Sequence, residues 1–109
     1  MILLDPANAV EPIDIDPHYL EKVKEILHQY LPGKEVVAYG SRVKGTATSR
    51  SDLDLVAFAT SGRAISEVNE ALEESIVPFP VNIYSWETLP EDFRANIAKK
   101  YSVVVKSSP

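Results

Sequence analysis

The chain has 109 residues, of which 45% are hydrophobic and 25% charged, with a formal net charge of −5 and no cysteine. This composition suits one globular domain with a single modest core, and it excludes disulfides and thiol nucleophiles. The acidic balance argues against a non-specific nucleic-acid binder, which needs a basic face.

No apolar run is long enough to span a bilayer. The apolar start Ile2-Leu3-Leu4 is stopped by Asp5-Pro6, so neither a signal peptide nor a membrane anchor is expected, and a cytoplasmic location is.

Residues 1–15 read as an irregular lead-in, in which Ile2-Leu3-Leu4 either docks on the body or pairs as an edge strand. Residues 16–109 read as a single domain. Asp16 is a good N-cap, Pro17 suits the first helical position, and Ile15 with Leu20 is placed as a hydrophobic staple. Leu20, Val23, Leu27, Tyr30 and Leu31 recur at helical spacing until Pro32-Gly33 ends the first helix. His18 and His28 lie on it, but not at the i, i+4 spacing of paired metal ligands, and they read as solvated.

Val36 to Tyr39 is a short buried-type strand, followed by a brief helical turn from Ser41 to about Gly45 and a polar loop. Leu53 to Ala59 reads as the second strand. A second helix follows with Ile65, Val68, Leu72 and Ile76 on its apolar face and Glu67, Glu70, Glu73 and Glu74 on its wet one. Pro78-Phe79-Pro80 leads to a third strand, Val81 to Tyr84. Pro90 opens a third long helix with Phe93, Ile97 and Tyr101 on its inner face, and Ser102 to Lys106 is a terminal β-run. Tyr39 and Tyr84 are expected to finish the core with their hydroxyls at its rim, and Trp86 to pack in the core or against a partner. The order predicts an α/β (α+β) fold, a small mixed sheet of about four strands with helices packed against it.

The chemistry concentrates in two places. Gly40-Ser41 follows an apolar strand, where a backbone can approach a phosphate closely, and Arg42 and Lys44 add positive charge to the same connector. Then Asp52 and Asp54 stand one residue apart at the head of an apolar strand, so both side chains leave the same face. Like charges that close repel unless a cation lies between them, and Mg²⁺ favours one or two carboxylates plus substrate phosphates. The competing reading is a solvated edge strand beside a charged loop.

Gly40-Ser41-Arg42, a short gap, and Ser51-Asp52-Leu53-Asp54-Leu55 together resemble the signature of DNA-polymerase-beta-type nucleotidyltransferases. Val81-Asn82-Ile83-Tyr84-Ser85-Trp86, Phe93-Arg94 and Tyr101 to Val105 are similar to their minimal branch, the antitoxins of HEPN/minimal-nucleotidyltransferase toxin–antitoxin pairs. The resemblance covers about residues 20–106 and implies the nucleotidyltransferase fold. Gly40 and Ser41 would grip the triphosphate of ATP, and Asp52 and Asp54 would hold Mg²⁺, two ions in a complete site. The reaction implied is transfer of AMP to a tyrosine hydroxyl of a partner HEPN RNase, in a hetero-oligomer. A chain this short is expected to have its acceptor brought by that partner, which disfavours small-molecule transfer of the antibiotic-modifying kind.

The chain departs from the pattern at Asn82, where the family has a third carboxylate. An amide can lend a metal its carbonyl oxygen, but it carries no charge and is no base. Three accounts follow: an antitoxin that has lost catalysis and acts by binding alone, an isostere, natural or engineered, that keeps the shape, or a replacement acid supplied by Glu87.

Overall fold

Alternation along Leu53-Asp54-Leu55-Val56-Ala57 decides the layering, because successive side chains of a strand face opposite ways. The computed structural model describes residues 4, 6–10 and 13–107. Its elements are α1 (Pro17–Tyr30), β1 (Val36–Tyr39), α2 (Ser41–Lys44), β2 (Leu53–Ala57), α3 (Gly62–Glu73), β3 (Val81–Ser85), α4 (Glu91–Ala98) and β4 (Ser102–Val105), with 3₁₀ turns at Pro6–Asn8 and Trp86–Thr88. The four strands form one mixed sheet in the order β3-β2-β1-β4. β1 runs antiparallel to both β2 and β4, whereas β2 and β3 are parallel. That parallel pair needs a crossover, and α3 supplies it. No helix among the described residues is long and apolar enough to cross a membrane.

One face of the sheet carries Val36, Ala38, Leu53, Leu55, Ala57 and Ile83, and is covered by Val23, Ile26 and Leu27 of α1 with Val68 and Leu72 of α3. The other carries Val37, Val56 and Trp86, packed with Ile97 of α4 and with Tyr101. This second face is the one that Asp54 shares with Val56. The element boundaries follow local chemistry. Asp16 accepts the N–H of His18 at 2.8 Å to cap α1, and Ser61 accepts the N–H of Ala64 at 3.1 Å to cap α3; each meets one of the amides that a helix leaves open.

Several expectations need correction. β2 ends at Ala57, not Ala59, because Ala59 turns to φ 56° and gives its N–H to the two Glu87 carboxylate oxygens at 3.0 and 3.1 Å. α3 ends at Glu73, so the helical step from Leu72 to Ile76 lands outside it and Ile76 is 59% exposed. α4 begins at Glu91 and ends at Ala98; Ile97 and Tyr101 are buried, but Tyr101 lies beyond the helix, bridged to Ala9. Phe93 is 42% exposed and meets Tyr39 edge-on at 6.0 Å. Tyr84 does not finish the core, being 45% exposed on β3, whereas Trp86 is buried against Phe58 at 5.0 Å. In the lead-in, Ile2 and Leu3 lie outside the described residues; Leu4 packs on the second core cluster.

Glu87 is the stay of the corner after β2. Burial alone would raise its carboxyl, but the Ala59 and Thr60 amides, its own N–H and the Ser85 hydroxyl outweigh that and hold it below its ordinary value. A carboxylate lowered by folding stabilises the protein above its unfolded pKa of about 4.3, and that contribution is lost as pH falls through the folded value. Glu87 is exposed, so solvent screening discounts the effect, and Glu87→Gln is expected to cost about 0.5 kcal/mol at neutral pH. Thermal melts at pH 7 and near pH 3 should show the difference from the parent chain shrinking toward acid.

Candidate active site

β1, β2 and β3 bring the site together through register. Tyr39 of β1 lies opposite Asp54 of β2, and Asp54 lies opposite Asn82 of β3. Asp52 precedes β2, and the neighbouring Leu53 N–H is tied to the Pro80 carbonyl at 2.9 Å. The amide nitrogen of Asn82 then reaches both acids, donating to Asp52 Oδ2 at 3.2 Å and to Asp54 Oδ1 at 3.5 Å. The two carboxylates thus converge on one polar group rather than diverging.

Gly40 closes the site from the side of β1. Its φ of 84° lies in the region that L side chains avoid, and a Cβ there would come within 2.7 Å of Asp54 Oδ2. The absence of a side chain is therefore what lets the Asp54 carboxylate lie against the turn. The Gly40 carbonyl accepts the N–H groups of Val43 and Lys44, both at 3.0 Å, which turns the chain into α2. Gly40 is itself the N-cap, so Ser41 is the first residue of α2 and does not cap it. Lys44 is exposed at the far end of that turn.

Arg42 departs from expectation. It is 5% exposed, donating Nε to the Ser51 carbonyl at 3.0 Å, Nη1 to that of Asp14 at 2.7 Å and Nη2 to that of Ser49 at 3.3 Å. Its guanidinium carbon stands 3.9 Å from the Phe79 ring centroid. A side chain so engaged braces the loop instead of offering an exposed phosphate contact. Glu87 does not supply a third acid either. It lies past the end of β3 remote from Asn82, with both carboxylate oxygens on the Ala59 amide.

The electrostatics describe a site short of positive charge. Burial raises the Asp54 carboxyl above its ordinary value, the Asp52 charge adds to this, and the Asn82 hydrogen bond only partly offsets them. Tyr39 is pushed far up, chiefly by burial and then by the charge of Asp54 and by Tyr84, so its phenol stays neutral. Among the described residues no group of three or more His, Cys, Asp or Glu side chains could hold a metal. Two acids converging on one amide nevertheless fit Mg²⁺, which takes one or two carboxylates and completes its shell with water and substrate phosphates. On rotation, Asn82 offers its carbonyl oxygen where its NH₂ now stands. Sequence reasoning missed Tyr39 and Phe79 as neighbours of the site. The signal available for Tyr39 was its place just before the Gly-Ser turn; Phe79 left none.

Comparison with known proteins gives a family and a fold for the chain. A sequence model described as a nucleotidyltransferase domain matches residues 20–105. A Haemophilus influenzae protein named as a probable protein adenylyltransferase, MntA, is 42% identical over 95 residues, which is 84% of this chain and 83% of that one. A crystal structure of a toxin–antitoxin with AMP-PNP superposes with a TM-score of 0.68 at 17% identity, over 82% of this chain and 74% of that one. A mutant of the toxin–antitoxin MntA–HpeT gives a TM-score of 0.67 at 15% identity, with the same coverage. At such identities these two structures speak for the fold alone.

Two outcomes follow from the packing of Asp54. Gly40→Ala combines a disfavoured backbone with a clash, so it is expected to destabilise the chain by about 1–3 kcal/mol, read from the denaturation midpoint. Asp54→Asn should act the other way. A carboxyl whose folded pKa is raised favours the native state only at pH low enough to protonate it, and opposes it as pH rises through the folded value. Without divalent cations the Asn variant should melt above the parent chain at pH 7, and the gap should close below about pH 4, the ordinary carboxylate range.

Proposed function

Because this chain belongs to the nucleotidyltransferase domain family, we propose that it is the antitoxin of a toxin–antitoxin pair and transfers AMP from Mg-ATP to a tyrosine hydroxyl of a HEPN-type RNase partner. The observation that carries the reading is the row of Asp52, Asp54 and Asn82 beside Gly40, supported by 42% identity to a protein named as a probable adenylyltransferase. The pair works in the cytoplasm, where ATP is supplied, and as a hetero-oligomer.

Asp52 and Asp54 are the residues that would hold Mg²⁺; when bound, it supplies charge neutralisation at the oxygens of the reacting phosphate. Gly40 lets the Asp54 carboxylate lie against the turn, and Gly40, Ser41 and the exposed Lys44 are the residues that would meet the triphosphate. Asn82 bridges the acids and keeps them pointed together, yet cannot take the proton of the incoming hydroxyl. As the hydroxyl oxygen bonds to the α-phosphorus, the bond to the β-phosphate breaks and pyrophosphate leaves; the hydroxyl proton passes to water, without the general-base help worth about 10²–10⁴ in rate.

The same residue favours a second reading, in which the chain neutralises its toxin by complex formation without chemistry. Intact masses of both proteins after incubation with ATP and Mg²⁺ separate the two. Transfer adds an adenylyl group to the toxin, abolished by Asp52→Ala with Asp54→Ala, and Asn82→Asp should raise the rate by about 10²–10⁴. No added mass, even with Asn82→Asp, together with undiminished neutralisation by the double-alanine variant, would leave binding as the whole activity.

A further inference from the structure

Among the described residues Arg42 is the one buried charged side chain, and the ion pairs found there do not include it. A buried cation without a counter-ion is costly unless its donors are met in some other way. Here three carbonyls and the face of Phe79 meet them. The main chain is held as well, since the Arg42 carbonyl accepts the Asp14 N–H at 2.8 Å.

What matters is where those partners lie. Ser49 and Ser51 belong to the loop that delivers Asp52. Phe79 precedes Pro80, whose carbonyl fixes Leu53, and stands three residues before Asn82. Arg42 itself follows Ser41 in the turn that begins at Gly40. One planar group therefore joins the approaches to all three parts of the site, none of which is its sequence neighbour except the turn.

We infer that Arg42 is a positioning residue, whose guanidinium fan sets the spacing of Asp52, Asn82 and the Gly40–Ser41 turn and so the affinity of the site for a divalent cation carrying nucleotide phosphates. The inference rests on the metal reading of Asp52 and Asp54. It places shape, not charge, at the centre of the residue's role. A lysine keeps the charge, but a single ammonium cannot face three diverging carbonyls and has no plane to lay on an aromatic ring.

The test is binding of Mn²⁺ with AMP-PNP to the full chain, followed by electron paramagnetic resonance at a temperature where every variant is folded. Arg42→Lys and Arg42→Gln should each weaken binding about 10–100-fold, the range for residues that orient metal ligands. Leu27→Ala, a core truncation in α1, serves as the stability-matched control and should leave the affinity unchanged. Hydrogen exchange should speed up at Ser51, Leu53 and Val81 in the Arg42 variants, but not in the control. Binding by Arg42→Lys equal to the parent would overturn the inference, because charge alone would then suffice. So would an equal loss in Leu27→Ala, which would reduce the effect to general instability. If Arg42→Gln does not fold, Phe79→Leu keeps the guanidinium but removes its platform, and a smaller loss in the same direction is expected; no loss there overturns the inference. Failure of the unsubstituted chain to bind would instead remove the metal reading itself, and the inference with it.

Discussion

Like charges on one face of a strand repel, and this chain places two of them at the opening of β2. Everything around the site answers that repulsion. The parallel register with β3 sets an amide between the carboxylates, and Gly40 yields the volume in which Asp54 Oδ2 lies. Burial still raises the Asp54 carboxyl, so the arrangement holds an unmet demand for positive charge. A site built to be comfortable without a cation would have placed a lysine or arginine between the acids. Arg42, in the turn beside them, gives its guanidinium to the loop carbonyls instead.

The fold serves this demand through a division between its two faces. Helices α1 and α3 bury one side of the sheet under a continuous apolar layer, which locks the alternation of β2. A slip of one residue would move Leu53 and Leu55 onto the face of the acids and Asp54 under the apolar layer of α1 and α3. The opposite face is covered by the shorter α4, and beside it Tyr39, Tyr84 and Phe93 remain partly open next to the acids. The paired acids thus sit on the less heavily covered side of a sheet whose other side supplies the rigidity. The Glu87–Ala59 corner stabilises the far end of the same strands, away from the paired acids.

Asn82 holds the tension between fold and activity. As a hydrogen-bond donor it relieves the two acids in the absence of a cation, which an aspartate in its place would aggravate. As an amide it cannot serve as a base. Asn82 therefore favours a settled apo site, and the proposed transfer would run without a base at this position.

Local chemistry made much of this legible in the sequence. The caps at Asp16 and the stops at Pro32-Gly33 act within a turn, and the period-two alternation that puts Asp52 and Asp54 together acts within a strand, so both could be read without a neighbour. The same holds for Gly40-Ser41 and for the mixed α/β class. The tertiary structure decided what depends on partners far along the chain. Arg42 looked like a phosphate contact because its role is set by Asp14 and Phe79, and Glu87 looked like a spare acid because its partner is Ala59, across the end of the strand pair. Phe93 follows the helical period but lies partly open, since periodicity names a face and only packing says what covers it, and Ile76 lies open because α3 stops before it.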